Sequence, residues 1–235
     1  EIDPEARIKG IGGSAAGVYV DGRVRVASLF RGITPRERFE EEAAPIFKKL
    51  ADKWGIPLRL ENDGDVTALA GAIALNDGAI LGIAMGSSLA GGYVNDNMAI
   101  TGWMNELAFA PVDYNPRAAV DEWSRDFGVG ANYFSQQAVA RLIPVAGIDM
   151  PDIPQSAFPS RLKRVQDLML EGDERARKIY ETIGVYFGYT VAHYCSFYQP
   201  VRHLEVLGRV VSGEGGEIIL AEARKVLQVE FPELA

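Results

Sequence analysis

The feature that most constrains the fold of this sequence is an alternation of strand-like and helix-like segments between residues 56 and 94. A strand-like "IPLRLEND" is followed by a helix-like "VTALAGAIAL" and then by two strand-like stretches, "GAILGIAMGSS" and "GGYVNDNMAI". The first of these two is apolar at nearly every position, which is typical of a strand buried on both faces. Repeated strand and helix units of this kind favour an α/β fold.

The flanking segments continue the pattern. Residues 7–29 predict two strands joined through "DG". "TPRERFEEEAAPIFKKLADKWG" predicts a helix with Thr34 as N-cap, Pro35 at the first helical position and a stop at Gly55. Helices are also predicted at about 132–143 and 173–198, with a surface loop in "PVAGIDMPDIPQSAFP". "HLEVLG" predicts a short strand, and "SGEGGEIILAEARKVL" predicts a final helix.

Composition and charge exclude several classes of function. The 235 residues include 24 Lys and Arg against 32 Asp and Glu, and a formal net charge of −8 disfavours general binding to nucleic acids or anionic membranes. No apolar run approaches the roughly 18 residues of a membrane-spanning helix, and the opening "EIDPEARIKG" is charged where a signal peptide would be apolar. Cys195 is the only cysteine, so we expect no internal disulfide, no conventional zinc site and a reducing, cytoplasmic location.

Three strand ends carry residues suited to chemistry, and each has a structural alternative. In "LENDGDV", Asn62 or Asp63 most often caps the next helix, but an ionised Asp placed there also accepts the proton of an attacking hydroxyl. In "AMGSSLAGGYV", small residues either expose backbone N–H groups to phosphate oxygens or let neighbouring elements pack closely. "VLGRVVSGEGG" is either a contact for a base or ribose near Gly208 or an ordinary strand-to-helix connection.

The order of these motifs resembles the ROK family of sugar kinases and repressors, within the hexokinase–actin superfamily. "LENDGDVTALAGA" is similar to the family's Asn–Asp motif, which implies that Asp63 is the catalytic base and that Asn62 contacts the sugar. "GWMNELAF" resembles the stretch that carries a sugar-binding Glu, here Glu106, and "KGIGGSAAGVYVDG" implies a substrate contact at Gly17.

The same resemblance implies a nucleotide site. "MGSSLAGGYVNDNM" is similar to the family's second phosphate motif, and "LGRVVSGE" to the glycine pair near the adenosine. The nucleotide-binding residues implied in this way are Gly86, Ser87, Ser88, Ala90, Gly92 and Gly208. ATP is the implied cofactor, with Mg²⁺ carried by the nucleotide and no structural zinc.

Several positions depart from the family pattern. Phe109 stands where a sugar-contacting His is usual, Ala131 stands near the place of another sugar-binding Glu, and Arg209 replaces the second glycine near the adenosine. The zinc-ligating cysteines of many members are absent, and nothing before "GIGGSAAG" supplies the first phosphate hairpin. These departures are expected of the interior of a longer protein with altered sugar specificity.

The sequence therefore predicts a two-lobed actin/hexokinase-like (ribonuclease H-like) α/β fold with an incomplete first lobe at 1–76 and a second lobe at 77–235. The predicted function is phosphoryl transfer from ATP to a small-molecule sugar, with no nucleic acid or membrane partner, and a homodimer is compatible with it. The alternative is a non-catalytic sugar- or nucleotide-sensing domain, such as the effector domain of a ROK-type repressor.

Four further side chains have simpler interpretations. Cys195 on the apolar helix predicts a buried small side chain, and His193 and His203 predict packing or surface roles. Trp103 lies next to the expected sugar site in sequence, where core packing and stacking on a sugar ring are both open.

Overall fold

The computed structural model describes residues 7–235, and the first six residues of the charged opening segment lie outside the described residues. The helices and strands, in chain order, are β1 (Ile11–Ala15), β2 (Val18–Val20), β3 (Arg23–Val26), α1 (Arg36–Arg38), α2 (Ile46–Trp54), β4 (Leu58–Asn62), α3 (Asp63–Leu75), β5 (Ile80–Met85), β6 (Leu89–Val94), α4 (Gln136–Val145), α5 (Phe158–Leu170), α6 (Glu174–Cys195), β7 (His203–Leu207) and α7 (Glu214–Glu230).

The N-terminal part contains the predicted hairpin and one strand that pairs elsewhere. β2 and β3 are antiparallel around Asp21 and Gly22, whose φ angles of 53° and 70° suit the tight "DG" turn. β1 instead pairs in parallel with β4, from Ile11 opposite Leu58 to Ala15 opposite Asn62. The stretch 7–29 therefore contains three strands and not the predicted two. The additional strand, β1, forms because it pairs with β4, more than 40 residues further along the chain.

The helical segment after β3 is interrupted. α1 continues into a π-helical turn at Phe39–Ala43. The helix is then interrupted at Pro45, which has no backbone N–H to donate, and α2 begins at the next residue. The predicted start is wrong by one residue: Pro35 occupies the N-cap position of α1 in place of Thr34, and Arg36 is the first helical residue. The predicted stop is confirmed, since Gly55 caps α2 with a left-handed φ of 63°.

The larger sheet has the strand order β6-β5-β7, with β6 antiparallel and β7 parallel to β5. Leu81, Ile83 and Met85 of β5 point into the main core, while Ile80 belongs to a second core on the other face. α6 and α7 contribute to the main core, and α3 contributes to the second. Both faces of β5 are covered, as its continuous apolar run predicted.

Close helix packing depends on small residues at two contacts. A Cβ on Gly82 of β5 would lie 3.0 Å from the Ala68 Cβ of α3, and a Cβ on Gly184 of α6 would lie 2.8 Å from the Ile219 carbonyl oxygen of α7. The sheet face under α3 and the contact between α6 and α7 therefore have no room for larger side chains.

The C-terminal helices match the sequence patterns except for one. α6 begins after Asp173, whose Oδ1 accepts a 2.9 Å hydrogen bond from the Arg175 N–H as an N-cap. α5 was not predicted; it starts at the end of the predicted loop and buries Leu162, Val165 and Met169 at helical spacing. Among residues 7–235, no helix is long and apolar enough to cross a membrane.

Candidate functional site

Asp63 stands at the junction between β4 and α3, where the sequence placed a candidate base. Asn62 is the N-cap of α3, and its Oδ1 accepts a 2.8 Å hydrogen bond from the Gly64 N–H. The Asn62 amide nitrogen donates to the Gly17 carbonyl oxygen at 2.9 Å. One amide N–H and one oxygen lone pair of Asn62 remain for a ligand, so capping and ligand contact are compatible in this residue.

Three carboxylates share this end of α3. Burial raises the pKa of Glu106, and the charges of Asp63 and Asp65 raise it further. Burial also raises the pKa of Asp65, which hydrogen bonds from Asn105 and the Tyr93 N–H partly oppose. Like charges this close favour a cation or a proton-donating hydroxyl as a ligand. The Glu106 carboxylate therefore lies close enough to Asp63 and Asp65 for their charges to act on it.

A buried hydrogen-bond chain fixes the segment that carries Glu106. Asn105 donates to Asp65 Oδ1 at 2.7 Å and accepts a 2.9 Å hydrogen bond from the Tyr198 hydroxyl. Burial, together with the Asp65 charge, raises the pKa of Tyr198 to about 12, so this hydroxyl stays a donor at neutral pH. The chain ties α3, the loop before Glu106 and the end of α6 to one another.

Sequence reasoning missed this chain and one neighbouring tyrosine. Residues two apart on a helix do not share a face, so nothing in "DGD" indicated that Asp65 would turn toward Asn105. Tyr19 of β2 was also unassigned; burial raises its pKa, as does the charge of Asp63, which places the ring near the candidate base. The tyrosine hydroxyl donates to the Ala16 carbonyl oxygen at 3.0 Å.

The glycines of "GSSLAGG" serve two different purposes. Gly86, Ser87 and Ser88 form the turn between β5 and β6, with both serines exposed and a 2.9 Å hydrogen bond from the Gly86 N–H to the Ser88 carbonyl oxygen. A Cβ on Gly86 would find its nearest neighbour at 3.7 Å, so this turn is open. Gly92 is buried, and a Cβ there would lie 2.2 Å from the Gly64 carbonyl oxygen.

The predicted phosphate and adenosine turns lie at the same edge of the sheet. β5 and β7 are parallel, with Ala84 opposite Leu207, so the turns that follow them are neighbours. Gly208 has a φ of 110°, and a Cβ there would lie 2.4 Å from the Met85 carbonyl oxygen. Ligands of open α/β sheets bind beyond the carboxyl ends of the strands, which is where both turns lie.

The positions that depart from the family pattern have taken other contacts. Phe109 stacks on Trp123 with ring centroids 6.3 Å apart, and the Arg31 guanidinium lies over the Trp123 ring. Ala131 is only 2% exposed, and its N–H donates to the Ala108 carbonyl oxygen at 3.0 Å. Arg209 is exposed beside the Gly208 turn.

The remaining singled-out residues have ordinary surroundings. His203 pairs with Asp77 at 2.7 Å, His193 packs edge-on against Phe197 at 5.0 Å, and Cys195 is half-buried. Trp103 stacks on Tyr93 with centroids 5.6 Å apart, yet half of its surface stays exposed. Within 7–235, no group of three or more His, Cys, Asp or Glu side chains is arranged to hold a metal ion.

Comparison by sequence and by structure gives different results. No protein-family model matches the sequence, and no curated protein matches it. Among solved structures, the ROK hexokinase from Thermus thermophilus superposes with a TM-score of 0.70 at 19% identity, over 94% of this chain and 70% of that chain. A ROK family glucokinase from Streptomyces griseus, in complex with glucose and AMPPNP, gives 0.66 at 19% identity, over 95% and 72%.

One solved transcriptional regulator has a similar fold. A ROK family transcriptional regulator, described as a homologue of an E. coli protein, gives a TM-score of 0.68 at 17% identity, over 94% of this chain and 55% of that chain. Identities this low establish the fold rather than the activity. This chain has the hexokinase-like α/β fold of the ROK family.

Proposed function

We propose that this protein transfers the γ-phosphoryl group of ATP to a hydroxyl of a small sugar. The observation that carries the proposal is the position of Asp63 at the start of α3, beside Glu106, in a fold shared with ROK kinases. The partial positive charge of a helix N-terminus favours a negative group there, and a carboxylate in this position can accept a proton from a substrate hydroxyl.

In this proposal the protein's own residues orient the sugar. Asp63 accepts the hydroxyl proton, and Asn62 uses its remaining amide N–H to hold a neighbouring hydroxyl. Glu106 accepts a hydrogen bond from another hydroxyl, and Gly17 limits the far side of the site through its contact with Asn62. Fixing the nucleophile in line with the phosphoryl group supplies much of the rate enhancement in reactions of this class.

The nucleotide would lie along the edge beyond β5 and β7. The open turn of Gly86, Ser87 and Ser88 leaves room for a phosphate group, because both serine side chains are exposed and no Cβ at Gly86 blocks the approach. Gly208 would face the nucleoside. Bound Mg²⁺ would neutralise charge on the phosphates. For Ala90 and Gly92, a nucleotide contact stays a prediction.

The alternative is a sensing domain without efficient turnover. Two observations favour it: Phe109 is engaged with Trp123, and Ala131 is too buried to contact a ligand, so two polar sugar contacts are lost. The regulator with the same fold makes this a concrete second function. In that case the chain would bind sugar or nucleotide and transmit the bound state to another segment.

The experiment that separates the two functions is a coupled kinase assay on the full-length protein with a panel of hexoses, amino sugars and polyols. Asp63→Asn should lower kcat by about 10²–10⁴-fold with little change in sugar affinity, since general base catalysis contributes this much. Asp152→Asn, which changes an exposed carboxylate elsewhere, is the matched control. Sugar binding without turnover in the wild-type protein would leave only the sensing function.

A further inference from the structure

We propose that the aromatic cavity beside Glu106 binds an organic ammonium group, so that the substrate is an aminated sugar or polyol. The first half of this proposal concerns the cavity alone, and the second half rests on the proposed function. The aromatic rings of the cavity wall, the carboxylate of Glu106 and the absence of lysine and arginine from the wall among the described residues carry the argument.

The cavity has a volume of about 520 Å³ and lies between residues 103–114 and the end of α6. This size suits a small molecule. Half of its lining residues are aromatic and most of the others are aliphatic, with Asn105 and Glu106 as the polar groups on the side of the candidate base. The aromatic side chains are Trp103, Tyr114, His193, Tyr194, Phe197 and Tyr198.

Several of these rings pack against one another at defined angles, and two of them are exposed. The Trp103 and Tyr198 rings are tilted by 38° with centroids 6.0 Å apart, and His193 meets Phe197 edge-on at 5.0 Å. Trp103 is 50% exposed and Phe197 is 64% exposed, so a ligand can reach them. Aromatic faces carry negative potential, and several around one space attract a quaternary or alkylated ammonium ion.

The charges beside the cavity select the same ligand. No lysine or arginine contributes to the cavity wall among the described residues, whereas the half-buried Glu106 does. Asp63 and Asp65 add negative charge close to Glu106. An anionic ligand would be repelled here, and a neutral one would gain less than a cation from the charge of these carboxylates. A hydrated metal ion would not use the apolar rings, so an organic cation matches both features.

The orientation follows from the position of Glu106, which belongs to both the cavity and the proposed sugar site. The ammonium group would face Glu106 and the Trp103 ring, and the rest of the substrate would extend toward Asp63. The hydrogen bond from Asn105 to Asp65 holds this corner of the cavity in place. The aminated carbon therefore lies on the side of the substrate away from the phosphoryl acceptor.

The cavity is tested by NMR titration of the full-length protein with choline and with its neutral carbon isostere, 3,3-dimethylbutan-1-ol. Choline should bind about tenfold more tightly, since a desolvated cation–π contact adds roughly this factor. Trp103→Ala and Phe197→Ala should each weaken choline binding, whereas Trp54→Ala, which removes an equally exposed tryptophan on α2, should not. Glu106→Gln should reduce the preference for choline, and exposed Glu122→Gln should leave it intact.

Equal affinity for the two probes, or choline binding that survives both ring truncations, would overturn the cavity assignment. A third outcome is that choline does not bind and that Trp103→Ala converts a dimer to a monomer in sedimentation. The exposed aromatic surface around Trp103 would then be a contact between two copies of the protein. The proposal that the substrate is aminated is tested separately, by comparing the rates at which the protein phosphorylates glucosamine and glucose. Choline binding with equal use of both sugars refutes only the aminated substrate, and choline binding with no sugar turnover refutes the proposed function.

Discussion

Replacing Gly92 by alanine tests whether the small residues of "GSSLAGG" serve packing or ligand binding. A Cβ at this position would lie 2.2 Å from the Gly64 carbonyl oxygen, 2.4 Å from the Gly64 carbonyl carbon and 2.6 Å from the Asp65 Cα. All three are backbone atoms at the start of α3, so no side chain can turn aside to make room. The helix that presents Asp63 would have to move away from β6.

The size of the effect follows from comparable substitutions. Overpacking of a well-filled interior costs about 1–3 kcal/mol. Because the clash is with backbone, we expect Gly92→Ala near the upper end of that range, on the order of 3 kcal/mol of unfolding free energy. Gly86→Ala, six residues earlier, is the control: its Cβ would meet nothing closer than 3.7 Å, so we expect a change within about 0.5–1 kcal/mol, toward greater stability.

The assay is urea unfolding monitored by far-UV circular dichroism. The unfolding free energies of the two variants are comparable if their m-values are equal. ATP titration then separates the roles, since Gly86→Ala should weaken binding at the phosphate turn without lowering stability. A Gly92→Ala protein within about 0.5 kcal/mol of wild type would refute the packing argument, because a clash of this size cannot be absorbed by rearranging a side chain.

Three further outcomes are expected. Tyr198→Phe should lower the unfolding free energy by about 1 kcal/mol, because Asn105 loses a buried hydrogen bond; no change in chemical denaturation would show that this bond is dispensable. Asp65→Asn keeps an acceptor oxygen but removes a carboxylate whose pKa is raised, so its stability relative to wild type should increase as pH rises from about 4 to 7; parallel pH–stability curves would contradict this. Trp123→Ala should cost about 0.5–1 kcal/mol by removing the cation–π contact with Arg31, and thermal melts should show the loss decreasing at high salt.

Much of the fold was readable from local sequence. The spacing of apolar residues along the sequence predicted β4, α3, β5, β6, α6, β7 and α7. Such spacing is informative because the buried face of a helix or strand requires apolar residues at the repeat of that element. Turn chemistry identified the "DG" hairpin and the stop at Gly55, since both need a positive φ that few residues adopt. The junction that holds Asp63 was predicted for a different reason, since Asn and Asp side chains readily cap the first turn of a helix and Asn62 does so here.

Other features depend on contacts between distant segments and had no local signal. The pairing of β1 with β4 and the Asp65–Asn105–Tyr198 chain join residues that are 40 or more positions apart. The sequence also left open whether Gly86 and Gly92 share one role, and only the neighbours of each position separate an open turn from a packing contact. Local sequence sets the conformation and the buried face of each element, whereas side-chain surroundings depend on which elements meet, and that is decided by packing of the whole chain.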